Sequence, residues 1–199
     1  MLLPADQLSK RQNYFLMTSL VVPRPIAWIG TAGLGGGDEG EDTHDNLAPF
    51  SYFMGVSSDP PIVAVSIARA RGGALKDTLR NLLATQRCTL SVVSQKHLLP
   101  MHATGGSFPP EVDEFTEAGL DKERWEGLPV VADAPAAMLC QLHRAEDLGS
   151  THLVLLRVLA YRVDPAGFDA ENTRMRPDFL KPVGRLGGSY ALLGQEITP

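Results

Sequence analysis

Cysteine is scarce: Cys88 and Cys140 are the only two in 199 residues. They stand far apart in apolar, strand-like segments, so both read as buried free thiols and no disulfide framework is expected. No apolar run approaches the roughly 20 residues that a membrane-spanning helix needs. The N-terminal stretch carries Asp6, Lys10 and Arg11, and the apolar run after it is cut by Pro23 and Pro25. That is not the pattern of a secretory leader, and the cytoplasm is the expected compartment. A basic stripe is also lacking, which argues against nucleic acid as a partner. The five histidines (His44, His97, His102, His143, His152) show no metal-ligand spacing with each other or with cysteine. There is no G-x-S-x-G nucleophile elbow.

What is present suits one globular domain, expected to run over residues 1–199 with a core of its own. The net charge is −5, but Asp38, Glu39, Glu41, Asp42 and Asp45 fall within eight residues. Without them, acidic and basic residues balance at 18 each, so the acidity belongs to one loop. Within it Gly35, Gly37 and Gly40 formally match G-x-G-x-x-G. No apolar helical stripe follows, and the carboxylates would repel a phosphate, so the match is a product of composition. The stretch 33–45 reads as an extended hairpin tip.

Residues 6–20 predict a short helix. Strands are predicted over 24–32, 46–53, 61–68, 87–93, 128–132, 136–144 and 152–163, with a last one within 184–194. Ser57, Ser58, Asp59, Pro60 and Pro61 read as a turn. Leu75, Leu79, Leu82 and Leu83 share one helical face. Short helices are predicted over 95–103 and 111–118, with Asp113 and Glu114 as solvated helix residues. Many short strands with few helices give a mainly β fold, a β-barrel with helical insertions.

Two segments break local rules. Lys76 is predicted in the first turn of its helix, where the macrodipole disfavours a cation. Either it snorkels to water, or an external anion joins it. In the second case the helix amides, Lys76 and the Thr78 hydroxyl form a phosphate cradle, with Arg69 and Arg71 nearby and Asp77 orienting Lys76. The other segment is 46–53, where Ala48-Pro49 interrupts a strand. Either the proline protects an edge, or it marks a bulge that offers backbone groups near Asn46, Ser51 and Tyr52 to a planar ligand.

Segments 23–31 (PRPIAWIGT), 46–53 (NLAPFSYF) and 76–81 (KDTLRN), in this order, resemble the flavin reductase-like FMN-binding split-barrel family. The likeness continues through 58–67 (SDPPIVAVSI), 113–120 (DEFTEAGL), 129–140 (PVVADAPAAMLC) and 184–190 (GRLGGSY), so it spans roughly 14 to 193. Flavoredoxins, ferric reductases and NAD(P)H-dependent flavin reductases are among the relatives it implies.

The resemblance implies a six-stranded split barrel, a homodimer, and FMN held near the subunit interface. It implies that Asn46, Leu47, Ala48, Pro49 and Ser51 line the isoalloxazine, with backbone amides of that bulge meeting the ring. Ser66, Arg69, Lys76 and Thr78 would gather at the phosphate, with Asp77 in support. Trp28, Ile29 and Thr31 would back the ribityl or ring side, and Arg185 and Tyr190 would approach the flavin from the C-terminal motif. The implied activity is an NAD(P)H-dependent flavin or ferric reductase, taking hydride from NADH or NADPH. Its electrons would go to free flavin, ferric chelates, oxygen or a redox partner protein. The alternative is a flavoredoxin-like electron carrier without pyridine-nucleotide oxidation of its own. No protein acid or base is identified, with His44, beside the acidic loop and near Asn46, the one exception, and no metal is implied. The loop 33–45 is longer and more acidic than the family's usual hairpin.

Overall fold

The computed structural model describes residues 1–33, 44–194 and 197, so the glycine-rich acidic stretch between Gly33 and His44 lies outside the described residues. The elements in chain order are α1 (Lys10–Leu20), β1 (Ala27–Thr31), β2 (Asn46–Phe50), β3 (Phe53–Ser58), β4 (Pro61–Ala68), α2 (Asp77–Thr85), β5 (Arg87–Val92), α3 (Leu98–Ala103) and α4 (Glu114–Glu117). There follow β6 (Lys122–Trp125), β7 (Leu128–Val131), β8 (Ala136–Asp147), β9 (Thr151–Val163), β10 (Phe168–Asp169), β11 (Arg174–Met175), α5 (Pro177–Leu180), β12 (Val183–Arg185) and β13 (Tyr190–Leu192).

Seven strands make one sheet in the order β2-β1-β5-β8-β9-β4-β3. Every neighbouring pair is antiparallel. The two end strands, β2 and β3, are consecutive in the chain, with only Ser51 and Tyr52 between them. The sheet therefore curls until its ends meet at a chain corner. There the Ser66 amide donates to the Tyr52 carbonyl at 2.8 Å. Counted as one bent strand, β2 and β3 give the six-stranded barrel that was expected.

The barrel interior is filled by alternate residues of its strands, among them Ile29, Val65, Ile67, Leu90, Val154 and Leu156, each fully buried. Leu79 and Leu82 of α2 enter the same core, with Leu75 packed beside them. Leu79 and Leu82 carry the predicted apolar face, but Leu75 lies two residues ahead of the helix and Leu83 stays 37% exposed. Cys88 and Cys140 stand opposite each other on β5 and β8, both buried and free, as expected. Their mutual hydrogen bond and burial push the Cys88 thiol upward. A second core on the other face of β1 holds Trp28, Leu47, Met101, Phe115 and Val131. Close packing there needs Gly30, because a Cβ would lie 2.5 Å from the Pro129 carbonyl oxygen.

Several local readings are corrected. Ser57 and Ser58 belong to β3, not to a turn; β4 supplies partners for them, with a register shift between Gly55 and Ser57. The turn shrinks to Asp59 and Pro60. Strand β6 is not among the predicted strands; its ladder with β7 makes it one. Glu114 is not solvated: it is 8% exposed in α4, while Asp113 caps that helix by accepting the Phe115 and Thr116 amides. Asp45 does not share the solvation expected of the acidic loop. It is fully buried and held by Lys122 at 2.6 Å and Arg124 at 2.8 Å. Lys122 also pairs with Asp113, so these residues pin the end of the loop to α4 and β6.

Candidate functional site

The corner between β2 and β3 opens on a groove of about 510 Å³. Its walls come from α1, the Pro23–Pro25 approach to β1, the end of β4, the N-terminus of α2, the Ser150–Thr151 turn and β12. Lys10, Arg24, Arg69, Lys76 and Arg185 line it, and no carboxylate does among the described residues. Such a surface concentrates positive potential in a concave site and selects for anions.

Lys76 is the N-cap residue of α2, just ahead of the first turn where it was expected, and its own side chain makes no cap hydrogen bond. Its ammonium lies 5.8 Å from the Phe50 ring centroid. Asp77 does not orient it: that carboxylate takes Arg80 at 2.6 Å, one helical turn on. Among the described residues, no carboxylate lies within ion-pair distance of Lys76. Arg69 is held by Asp147 at 2.6 Å and donates to the carbonyls of Gly149 and Gly73.

Arg24 was not singled out in the sequence, yet it organises one wall. It is 5% exposed and donates to the carbonyls of Thr18 at 2.8 Å, Val21 at 2.7 Å and Leu186 at 2.7 Å. It also reaches the Ser51 hydroxyl at 3.5 Å and lies over the Tyr52 ring. Its backbone pairs in both directions with Arg185. One guanidinium thus ties α1 and the C-terminal hairpin to the barrel corner. The Pro-Arg-Pro spacing is the sequence signal for it, since two prolines leave the residue between them little conformational freedom.

The structure brings Pro49, Ser51, Ser66, Arg69, Lys76 and Arg185 together around the groove. The other expected residues lie elsewhere. Trp28 is buried in the second core and donates its indole N–H to Thr104 at 2.9 Å. Ile29 is buried in the barrel interior. Thr31 accepts from buried Asn81 at 3.2 Å. Asn46 donates to the Thr78 hydroxyl at 2.8 Å, and both are buried. Ala48 packs against the core. Tyr190 sits beside the groove, under the Arg185 guanidinium. His44 is exposed at the end of the acidic stretch.

The strand edge is also more committed than the sequence suggested. The Leu47 amide donates to a Glu114 carboxylate oxygen at 3.0 Å, and Pro49 has no N–H. The outer edge of β2 therefore offers its free amides only near Ser51. Burial pushes the Glu114 carboxyl up to about 7, against the pull of its bond to the Leu47 amide.

Two polar atoms of groove residues, the Tyr52 hydroxyl and Arg185 Nη1, are buried without a hydrogen-bond partner. Such atoms are costly unless something satisfies them. Among the described residues, no cluster of metal-ligating side chains occurs. No described helix is long and apolar enough to cross a membrane.

Comparison with known proteins covers most of the chain. Residues 17–177 match the model of a flavin reductase like domain. An uncharacterized protein of Aquifex aeolicus is 35% identical over 89% of this chain and 87% of its own length. The crystal structure of nitrilotriacetate monooxygenase component B from Bacillus cereus superposes with a TM-score of 0.91 at 28% identity, covering 100% of this chain and 98% of that one. A protein with a split barrel domain from Shewanella frigidimarina superposes with a TM-score of 0.82 at 20% identity, covering 100% and 98%.

Proposed function

We propose that this chain, which belongs to the flavin reductase-like family and has its split-barrel fold, binds FMN in the corner groove and works as an NAD(P)H-dependent oxidoreductase. The observation that carries the reading is the groove itself: Lys10, Arg24, Arg69, Lys76 and Arg185 on its walls, no carboxylate among the described residues that line it, and a free backbone edge at the Ser51 corner. That donor set fits a molecule with one phosphate end and one polar, planar end.

In this reading Lys76, Arg69 and the Ser66 hydroxyl hold the phosphate, which carries about two negative charges at neutral pH. The cation at the N-cap of α2 then has its counter-ion, and the helix dipole adds to the attraction. Pro49, Ser51 and Tyr52 present the ring's polar edge with the free backbone of the corner. Bound FMN would supply hydride and single-electron transfer, chemistry that no side chain here provides. The protein's part is to orient the ring, exclude water with α1, and hold charge near it. Asn46 and Thr78 act behind the site, joining β2 to α2.

Electron delivery to a partner protein is supported by the name of the Bacillus cereus relative, one component of a monooxygenase. A homodimer is supported by β3, whose Met54 and Val56 are 60% and 52% exposed on a strand edge that is unpaired among the described residues.

The test is an absorption spectrum of purified protein with FMN, taken without oxygen before and after NADH or NADPH. Flavin bands that bleach with nucleotide are expected and name the donor. Bands that persist would replace the reductase with an electron carrier. Protein that takes up no FMN would overturn the reading.

A further inference from the structure

The groove holds more positive charge than one phosphate monoester can balance. Lys76 and Arg69 gather at the α2 end. Arg185 enters from a different element, β12, and its surroundings fix it in place. Its backbone is paired with Arg24 through bonds of 3.0 and 2.8 Å. Its guanidinium lies 4.4 Å from the Tyr190 ring centroid. The Tyr190 hydroxyl in turn shares a 2.9 Å hydrogen bond with His102 Nδ1, and the two rings meet edge to face. No carboxylate pairs with Arg185 among the described residues, and its Nη1 is buried and unbonded. The His102–Gly105 segment also touches the corner: a Cβ on Gly105 would stand 3.4 Å from Pro49 Cγ.

An arginine held by its paired backbone and its stacking on Tyr190, half-buried and with no carboxylate partner among the described residues, can take an oxyanion through the guanidinium N–H groups that remain accessible. We propose that Arg185 seats the anionic group, carboxylate or phosphate, of the second substrate, the molecule that exchanges electrons at the flavin site. His102 is a positioning residue that acts through Tyr190. The inference rests on the flavin reading and divides the groove's cations between two ligands.

The experiment uses full-length protein. FMN affinity is measured by fluorescence titration for wild type, Arg185→Met, His102→Ala, His102→Asn and Tyr190→Phe, with a thermal melt of each to confirm folding. The FMN-loaded proteins are then titrated calorimetrically with inorganic pyrophosphate and with benzoate. At least one anion is expected to bind wild type. Arg185→Met should weaken it about tenfold or more, the loss of one charge-assisted contact, while FMN affinity stays within about threefold. Preference for pyrophosphate assigns the seat to a nucleotide, and preference for benzoate to an organic acid. His102→Ala and Tyr190→Phe should weaken the anion but not FMN, and His102→Asn should recover most of the loss. Failure of both anions to bind, anion binding indifferent to Arg185→Met, or an FMN loss matching that of Lys76→Ala would overturn the assignment. Wild type that takes up no FMN would instead overturn the flavin reading beneath it.

Discussion

Replacing Arg24 by methionine should be the most damaging single change at the groove wall. Methionine keeps the aliphatic stem but removes three short hydrogen bonds to the carbonyls of Thr18, Val21 and Leu186. Hydrogen bonds from a charged donor contribute about 1.5–3 kcal/mol each, but such losses are not additive within one side chain, so a cost of about 3–5 kcal/mol is expected. For a domain of this size each kcal/mol lowers Tm by about 2–4 °C, which gives a drop of roughly 10 °C. Arg24→Lys keeps the charge, yet a compact ammonium cannot span three carbonyls in a plane, so it should recover less than half of the loss. The assay is scanning calorimetry of the three proteins without added flavin. A drop below about 3 °C for Arg24→Met, or full recovery by lysine, would refute the view that the guanidinium clips α1 and the hairpin to the barrel.

The other predictions are as follows. Lys76→Ala should weaken FMN by about 10- to 100-fold and riboflavin by less than about twofold, because only FMN has the phosphate; equal losses in fluorescence titrations would remove phosphate recognition from Lys76. Glu114 keeps its proton to about pH 7 in the folded chain, against an ordinary value of 4.5. The folded state therefore binds more protons between these values, so the stabilisation is complete below the lower one and is lost as pH rises through the upper, by about 3 kcal/mol. Glu114→Gln should abolish that slope in urea unfolding across pH 4–8, and parallel profiles for the two proteins would contradict it. Asp45→Asn should cost about 3 kcal/mol, since it strips Arg124 and Lys122 of a fully buried counter-charge; the check is chemical denaturation. Val56→Asp should convert a homodimer to monomer in sedimentation velocity, and an unchanged sedimentation coefficient would take β3 out of the interface.

The barrel was legible because its signals are local. Strands such as 61–68 and 152–163 are apolar and bounded by turn residues, and the helix over Leu75, Leu79 and Leu82 has a clear face. The corner was not legible. It exists because β3 finds a partner in β4, and that pairing turns Ser57 and Ser58 from turn residues into strand residues. Charge was misread wherever its partner lay far along the chain. Asp45 meets Lys122 and Arg124, and Glu114 meets the Leu47 amide, across separations that no local pattern reports. Residues named for the site from strand segments were mostly those whose side chains turn to the core, such as Trp28 and Ile29. A strand sends alternate residues to opposite faces, and the segment alone does not say which face the groove takes. Arg24 was missed because a cation between two prolines looks like a kink until its three carbonyls are seen.

The corner at Ser51 and Tyr52 has a mechanical consequence. Around the rest of the barrel, neighbouring strands are stitched by ladders, but β2 and β3 are joined end to end by the chain. The ring is thus a hoop with one riveted joint, and the joint forms part of the groove wall. A ligand lodged there, as proposed, would bridge the joint and brace the hoop at the place where no ladder does. At a free concentration a hundred times Kd, such binding would stabilise the folded chain by about 2.7 kcal/mol. Because the barrel unfolds as one unit, that stabilisation would protect β5 and β8 from global unfolding although neither lines the groove.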